Sequence, residues 1–443
     1  MPDPSLPPSV WLGADTAVVA VFAVVYLGMF LGGLPRLKVD RSGVALLGAI
    51  AVIAATGMGL EEAARAVDLP TIVLLFAFMV VSAQMRLGGF YTEVARRVGA
   101  LALSPAGLLA ALIALAGALS AVFSNDVVCL ALTPVVLRIA LRRGLPPVPL
   151  LVGLACAANI GSAATLIGNP QNMLIGSVMK LPFSAYLQAA LPPVLASLAL
   201  LWALLAWRLR GGASPAPTAG TEVGTSVGAS VDPVVGTRPD AGRPGPADAD
   251  ADSPFDRWQS AKGLAVAAAL MAVFLLSPWP REVAALVGAG LLLLSRRLHS
   301  ARVLGFVDWP LLLLFIGLFI VNHAFAATGL AGDAVAWLAA RGVGLAEPGV
   351  LLVTGVALSN LVSNVPAVML LLPHLQGFEA GLWLALVSTF AGNLLLVGSI
   401  ANLIVADLAA REGVVIDWRG HAALGVPVTL GTLAVLGAWI AVR

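Results

Sequence analysis

Asp126 stands in AVFSNDVVCLALTP (121–134), a run that is otherwise apolar apart from Ser124 and Asn125 just before it. At the centre of a membrane helix an aspartate costs about 2.5–3.5 kcal/mol on insertion scales. A carboxylate kept at such a place points to work that needs one: exchanging a proton, or holding a cation. Capping the helix that follows is the plainer role, but Asn or Ser would cap equally well without the charge. Asp126 is the one carboxylate placed deep in the apolar spans, since Asp68, Asp308 and Asp407 fall near span ends. His323, beside Asn322 in IVNHAF, is the second titratable residue placed in mid-span. It is a candidate proton relay, and alternatively a packing or hydrogen-bonding residue.

Three more polar interruptions share this setting: SNVP at 363–366, NIGSAATLIGNPQN at 159–172 and GNLLLVGSIAN at 392–402. Backbone groups in hydrocarbon must be paired internally, so broken helix survives only where protein or a watery cavity covers it. Pro366 lacks an N–H and suits the first turn of a helix, which ends the second tip at 365. Broken segments in matched positions of two halves are the sequence pointer to a transport site near the midplane. Helix N-termini there offer free N–H groups and partial positive charge, while unwound carbonyls and Asn, Ser or Thr oxygens can hold cations. The bland alternative is that Asn and Ser join helices and Gly lets them pack closely.

The elements that carry these residues follow from composition and repetition. Of 443 residues 60% are hydrophobic and 11% charged, against about a quarter charged in soluble domains. Apolar stretches of about 20 residues, enough to cross a bilayer, recur along the chain. A net charge of +2 gives no reason to expect nucleic acid. The start, MPDPSLPPSV, has Asp3 and no Lys or Arg, so it lacks the n-region of a signal peptide and the first span is expected to be retained. Cys129 and Cys156 lie in apolar segments, and neither a disulfide nor a thiol metal site is expected.

VDLPTIVLLFAFMVV (67–81) is matched by VDWPLLLLFIGLFIV (307–321), SNDVVCLALTP (124–134) by SNVPAVMLLLP (363–373), and LIGNPQNMLI (166–175) by LVGSIANLIV (396–405). The offsets are 240, 239 and 230. Residues 1–210 and 257–443 therefore read as two repeats, and the Gly-, Ala- and Pro-rich 211–256 as a flexible cytoplasmic linker. The fold class expected is an all-α polytopic membrane protein. It has about ten full spans, two re-entrant hairpins with tips at 124–126 and 363–366, and two broken helices. Five crossings per half make the second repeat inverted. With both termini outside, sixteen Lys and Arg fall on the inner side, against only Arg65, Lys180, Arg281, Arg341 and Arg443 outside; this is the expected bias toward the cytoplasm.

SNDVVCLALTPVVL, ANIGSAATLIGNPQNMLIGS, SNVPAVMLLLP and STFAGNLLLVGSIANLIVADLAARE resemble the ion transporter superfamily that includes arsenite-efflux permeases, divalent anion:sodium symporters and citrate transporters. The match is most similar to arsenical-pump-like anion permeases and plant silicon efflux transporters, and it spans nearly the whole chain. The resemblance implies inverted repeats, often in a homodimer, and alternating access. It would place Ser124, Asn125 and Asp126 at one tip and Ser363 and Asn364 at the other. Asn159, Gly161, Thr165, Asn169 and Asn172 would line one broken helix, and Asn393, Ser399 and Asn402 the other.

The sodium-coupled dicarboxylate branch carries Ser-Asn-Thr at its tips, whereas the third positions here are Asp126 and Val365. That departure favours export of a small weak acid, of arsenite or silicic acid type, against protons. Sodium-driven uptake of a di- or tricarboxylate or other inorganic anion is the alternative. The partners expected are lipid of a bacterial inner membrane, a small anion or neutral hydroxide acid, and H+ (or Na+); no cofactor is expected. No G-x-x-x-x-G-K-[ST] loop is present, so ATP hydrolysis would need a separate soluble ATPase. A passive channel would show flux without saturation or coupling.

Overall fold

The computed structural model describes residues 8–34, 37–211 and 255–442. Among these there are helices and no β-strand. The linker expected at 211–256 falls almost entirely on 212–254, outside the described residues. In chain order the first group is α1 (Pro8–Leu31), α2 (Arg41–Thr56), α3 (Leu60–Ala66), α4 (Leu69–Leu87), α5 (Phe90–Ala100), α6 (Pro105–Val122), α7 (Asn125–Arg142), α8 (Pro147–Ser162), α9 (Pro170–Val178) and α10 (Phe183–Gly211). The second is α11 (Arg257–Leu276), α12 (Arg281–Leu293), α13 (Ser300–Leu304), α14 (Trp309–Ala327), α15 (Leu330–Ala339), α16 (Pro348–Val362), α17 (Asn364–Leu371), α18 (Phe378–Ala391), α19 (Ile400–Arg411) and α20 (Trp418–Val442). By length and composition α4, α6, α10, α11, α14 and α20 can each cross a membrane, and several shorter apolar helices accompany them.

Local chemistry fixes the helix starts. In the VDLP block the Asp68 carboxylate accepts from the Thr71 backbone N–H at 3.0 Å. In the VDWP block Asp308 accepts from the Leu311 N–H at 3.0 Å. Each caps its helix with a proline in the first turn. Asn169 does the same for α9, accepting from the Asn172 N–H at 2.9 Å ahead of Pro170. The caps place α4 and α14 identically although their side chains differ.

The helices sort into two packed groups. In one, α2 lies against α1 and α14, and α12 lies correspondingly against α11 and α4. In the other, α6 and α7 pack on α8, α16 and α17 pack on α18, α10 meets α20, and α7 meets α19. The α6–α8 contact is tight at Gly161, where a Cβ would come within 2.3 Å of the Gly117 Cα. Only glycine allows that approach. Cys129 and Cys156 are both buried and free.

Four short helices, α3, α5, α13 and α15, escaped the span pattern, being too short or too polar. α5 carries an ion-pair cluster in which Arg96 and Arg97 both donate to Glu93. It packs on α7, whereas α15 touches α14 alone to any extent and buries no residue.

Candidate functional site

Two helix pairs and two breaks converge on one buried cluster of amides. α6 and α7 meet at Phe123–Ser124, and α16 and α17 meet at Ser363 alone. Ser363 has φ 78° and ψ 158°, a region that a side chain rarely occupies. α8 and α9 are separated by residues 163–169, and α18 and α19 by 392–399 with a short 3-10 turn at Leu396–Gly398.

Asn159, on the last full turn of α8, is the hub. Its Oδ1 accepts from Asn125 Nδ2 at 2.9 Å and from Ser399 Oγ at 3.1 Å. Its Nδ2 donates to Asn393 Oδ1 at 2.9 Å and to Asn402 Oδ1 at 3.3 Å. One side chain thus ties the first tip, the second break and α19 together. Asn402 Nδ2 in turn donates to the Gly392 carbonyl and to the Leu395 carbonyl, which also accepts from the Gly398 N–H, so the backbone of the break is held by both.

Around the first break Asn169 Nδ2 donates to Ser162 Oγ at 2.8 Å and Thr389 Oγ1 at 3.2 Å. Asn172 Nδ2 donates to the Thr165 carbonyl and the Tyr186 hydroxyl. Thr165 Oγ1 donates to the Ala121 carbonyl at 2.6 Å, and the Asn125 N–H reaches the Gly168 carbonyl at 3.2 Å. Gly161 serves by its lack of a side chain, letting α6 close on this region. Every donor and acceptor in these bonds is a neutral amide, hydroxyl or backbone group.

Asn364 lies next to the second break without joining the Asn159 hub: a Cβ on Gly392 would sit 2.9 Å from its Nδ2. The Oδ1 atoms of Asn125 and Asn364 are buried and have no hydrogen-bond partner. Ser124 and Ser363 make no side-chain cap bond. Asp126 occupies the first turn of α7, is half-buried, and makes no side-chain hydrogen bond among the described residues. His323 stands apart from the cluster. Its side chain is 45% exposed on α14, with Nε2 3.9 Å from Glu62 of the loop-side helix α3. The other faces of α14 are the ones covered by α1, α2 and α4.

Several further participants lie outside the residues singled out from the sequence. His421, buried at the start of α20, has Nε2 3.1 Å from the Asn393 carbonyl. Asn360 Nδ2 donates to the Val356 and Ala391 carbonyls, and Gln171 Nε2 donates to Thr389 Oγ1. Asn360 could have been found, being a second Ser-Asn pair four residues ahead of the tip; a lone His or Thr in an apolar helix could not.

Residues 22–391 match the citrate transporter family. The chain belongs to that family. This citrate transporter family member is 30% identical to a silicon efflux transporter of Oryza sativa subsp. japonica, over 94% of its own length and 95% of the relative's. It is 27% identical to an uncharacterized transporter of Mycobacterium tuberculosis, over 95% and 99% of the two chains. A putative transporter arsB of Dictyostelium discoideum matches at 25% identity over 40% of this chain. The family member is thus a multi-pass membrane transporter and not an enzyme, and the amide cluster lies where its breaks and hairpins meet.

Proposed function

We propose that this transporter exports a small weak acid of arsenite or silicic acid type in exchange for protons, by alternating access. One observation carries the reading: the groups that join the cluster are amides, hydroxyls and backbone carbonyls, and the two ionisable side chains beside it are an acid, Asp126 in the first turn of α7, and the His421 imidazole on the Asn393 carbonyl. A site of that composition suits an uncharged polyhydroxy acid, whose O–H groups can donate to Asn oxygens and accept from amide N–H groups. None of the bonds described within it comes from a Lys or Arg side chain, which a multiply charged anion would call for. The silicon efflux relative, aligned over nearly the full length, supports the same substrate class. Asp126 is the coupling group, taking a proton on one side and releasing it on the other.

A second reading is sodium-driven uptake of a carboxylate. It is favoured by the two unpartnered oxygens at the tips, Asn125 Oδ1 and Asn364 Oδ1, which could each hold a cation. Purified protein in proteoliposomes separates the two. An imposed pH gradient should drive saturable flux of arsenite and germanic acid, with no inhibition by citrate or succinate. Flux driven only by a sodium gradient and blocked by citrate would establish the second reading in its place.

A further inference from the structure

The two helix groups touch unequally. On one side of the amide cluster α9 packs on α4 and α17 packs on α14. On the other side α7 and α19 pack on each other, with no comparable packing of either on α4 or α14. Leu395, Val397 and Ile400, which flank the α19 side of the second break, are left 41%, 52% and 36% exposed. The conformation is closed on the α9 side of the cluster and open on the α19 side.

Two polar contacts hold the closed side. Arg281, the first residue of α12, donates from Nη2 to the Gly176 carbonyl in the last turn of α9 at 2.8 Å. Asp68, the cap of α4, accepts from the Ser177 hydroxyl in the same turn at 2.8 Å. The Gly176 carbonyl also accepts from the Leu181 N–H at 3.2 Å, and the guanidinium adds to it at the negative end of the helix dipole. α9 is also the helix whose first turn is capped by Asn169, so the grip at its end bears on a rigid element of the cluster.

The repeat offsets name the counterparts. Arg41, the first residue of α2, lies 240 before Arg281, and Asp308 lies 240 after Asp68. Ala406 and Asp407, on α19, lie 230 after Gly176 and Ser177. In this conformation the counterparts are apart. The Arg41 Nε is buried and has no hydrogen-bond partner. Asp407 pairs with Arg411 one turn along its own helix, at 2.8 Å.

We propose that Arg281 on α9 and Arg41 on α19 are two alternating latches, each closing one side of the site, of which the structure shows the first engaged and the second open. The proposal rests on the alternating-access reading above. When the cluster shifts, Arg281 releases the Gly176 carbonyl, and Arg41 donates to the Ala406 carbonyl and the Asp407 carboxylate. The charge at position 407, where the first repeat has a serine, adds an ion pair to the second latch that the first lacks. It also demands that Asp407 give up Arg411.

The test is a pair of spin-label distances measured by pulsed electron resonance on the full chain in nanodiscs. One pair, Val178 and Val283, reports the α9 latch; the other, Leu47 and Ala410, reports the α19 latch. Each pair should show a short and a long distance, with opposite populations in the two pairs. Arg281→Ala should move the ratio by about tenfold or more toward the state with α9 released, as expected for loss of one charge-assisted hydrogen bond. Arg41→Ala should move it as far the other way, and Arg281→Lys, which retains a donor, should stay near the parent. Two opposed populations that neither alanine variant shifts would overturn the latches and leave alternating access standing. A single population in every variant, with and without germanic acid, would overturn both.

Discussion

Asn159 uses both ends of its amide to join the first tip, the second break and α19. In a low-dielectric interior each buried polar group left without a partner costs about 1–3 kcal/mol. Asn159→Ala strands groups on Asn125, Ser399, Asn393 and Asn402 together, so a loss of about 3 kcal/mol or more is expected. It should appear as a large fall in the thermal midpoint of the detergent-solubilised protein, along with loss of transport. An unchanged midpoint would mean that the four partners re-pair among themselves. Ser363 makes a different demand. At φ 78° a non-glycine residue stores strain of about 1–3 kcal/mol. Ser363→Gly should therefore raise the midpoint, and Ser363→Val should lower it. If the glycine variant gains stability but transports more slowly, the hydroxyl itself belongs to the site.

At the scale of elements, the contact of α6 with α8 is set by Gly161, where even one methyl would meet the backbone of Gly117. Overpacking of this kind costs about 1–3 kcal/mol, so Gly161→Ala should lower the midpoint, while Gly437→Ala, with open space around it, should not. Most of these elements can be read from the chain, for physical reasons that differ from place to place. The VDLP and VDWP blocks predict matching helix starts because an Asp cap and an early proline act locally, and both helices begin there. The tips and breaks are visible because Ser, Asn, Gly and Pro are out of place in apolar runs. The first break falls at 163–169, within the polar stretch that announced it. His323 shows the limit of such reading. It lies four residues from the C-terminal end of α14, and which face it occupies depends on neighbours distant in sequence, which leave it outward beside Glu62. His421 was hidden for the same reason: its partner is a carbonyl exposed by a break 28 residues earlier.

For the molecule as a whole, the two groups of helices meet unevenly, and the proposed alternating access rests on that asymmetry. Orientation in the membrane follows, as a proposal, from the excess of Lys and Arg on one side. Val415→Cys should react with an impermeant maleimide only from the cytoplasm, and Leu276→Cys only from outside. Both positions are exposed, on segments that the charge bias assigns to opposite sides, and the native Cys129 and Cys156 are buried. Labelling with the sides exchanged would reverse the orientation and leave the site unaffected.

The central claim is that Asp126 couples transport to protons. The most direct measurement follows germanic acid in proteoliposomes carrying the parent protein or Asp126→Asn, first under a pH gradient and then as exchange of labelled for unlabelled substrate with no gradient. The expected result is that the variant still exchanges substrate, while its pH-driven flux falls to the level of protein-free vesicles. If the variant concentrates germanic acid under a pH gradient as the parent does, Asp126 is only a residue of the α7 first turn and the coupling lies elsewhere.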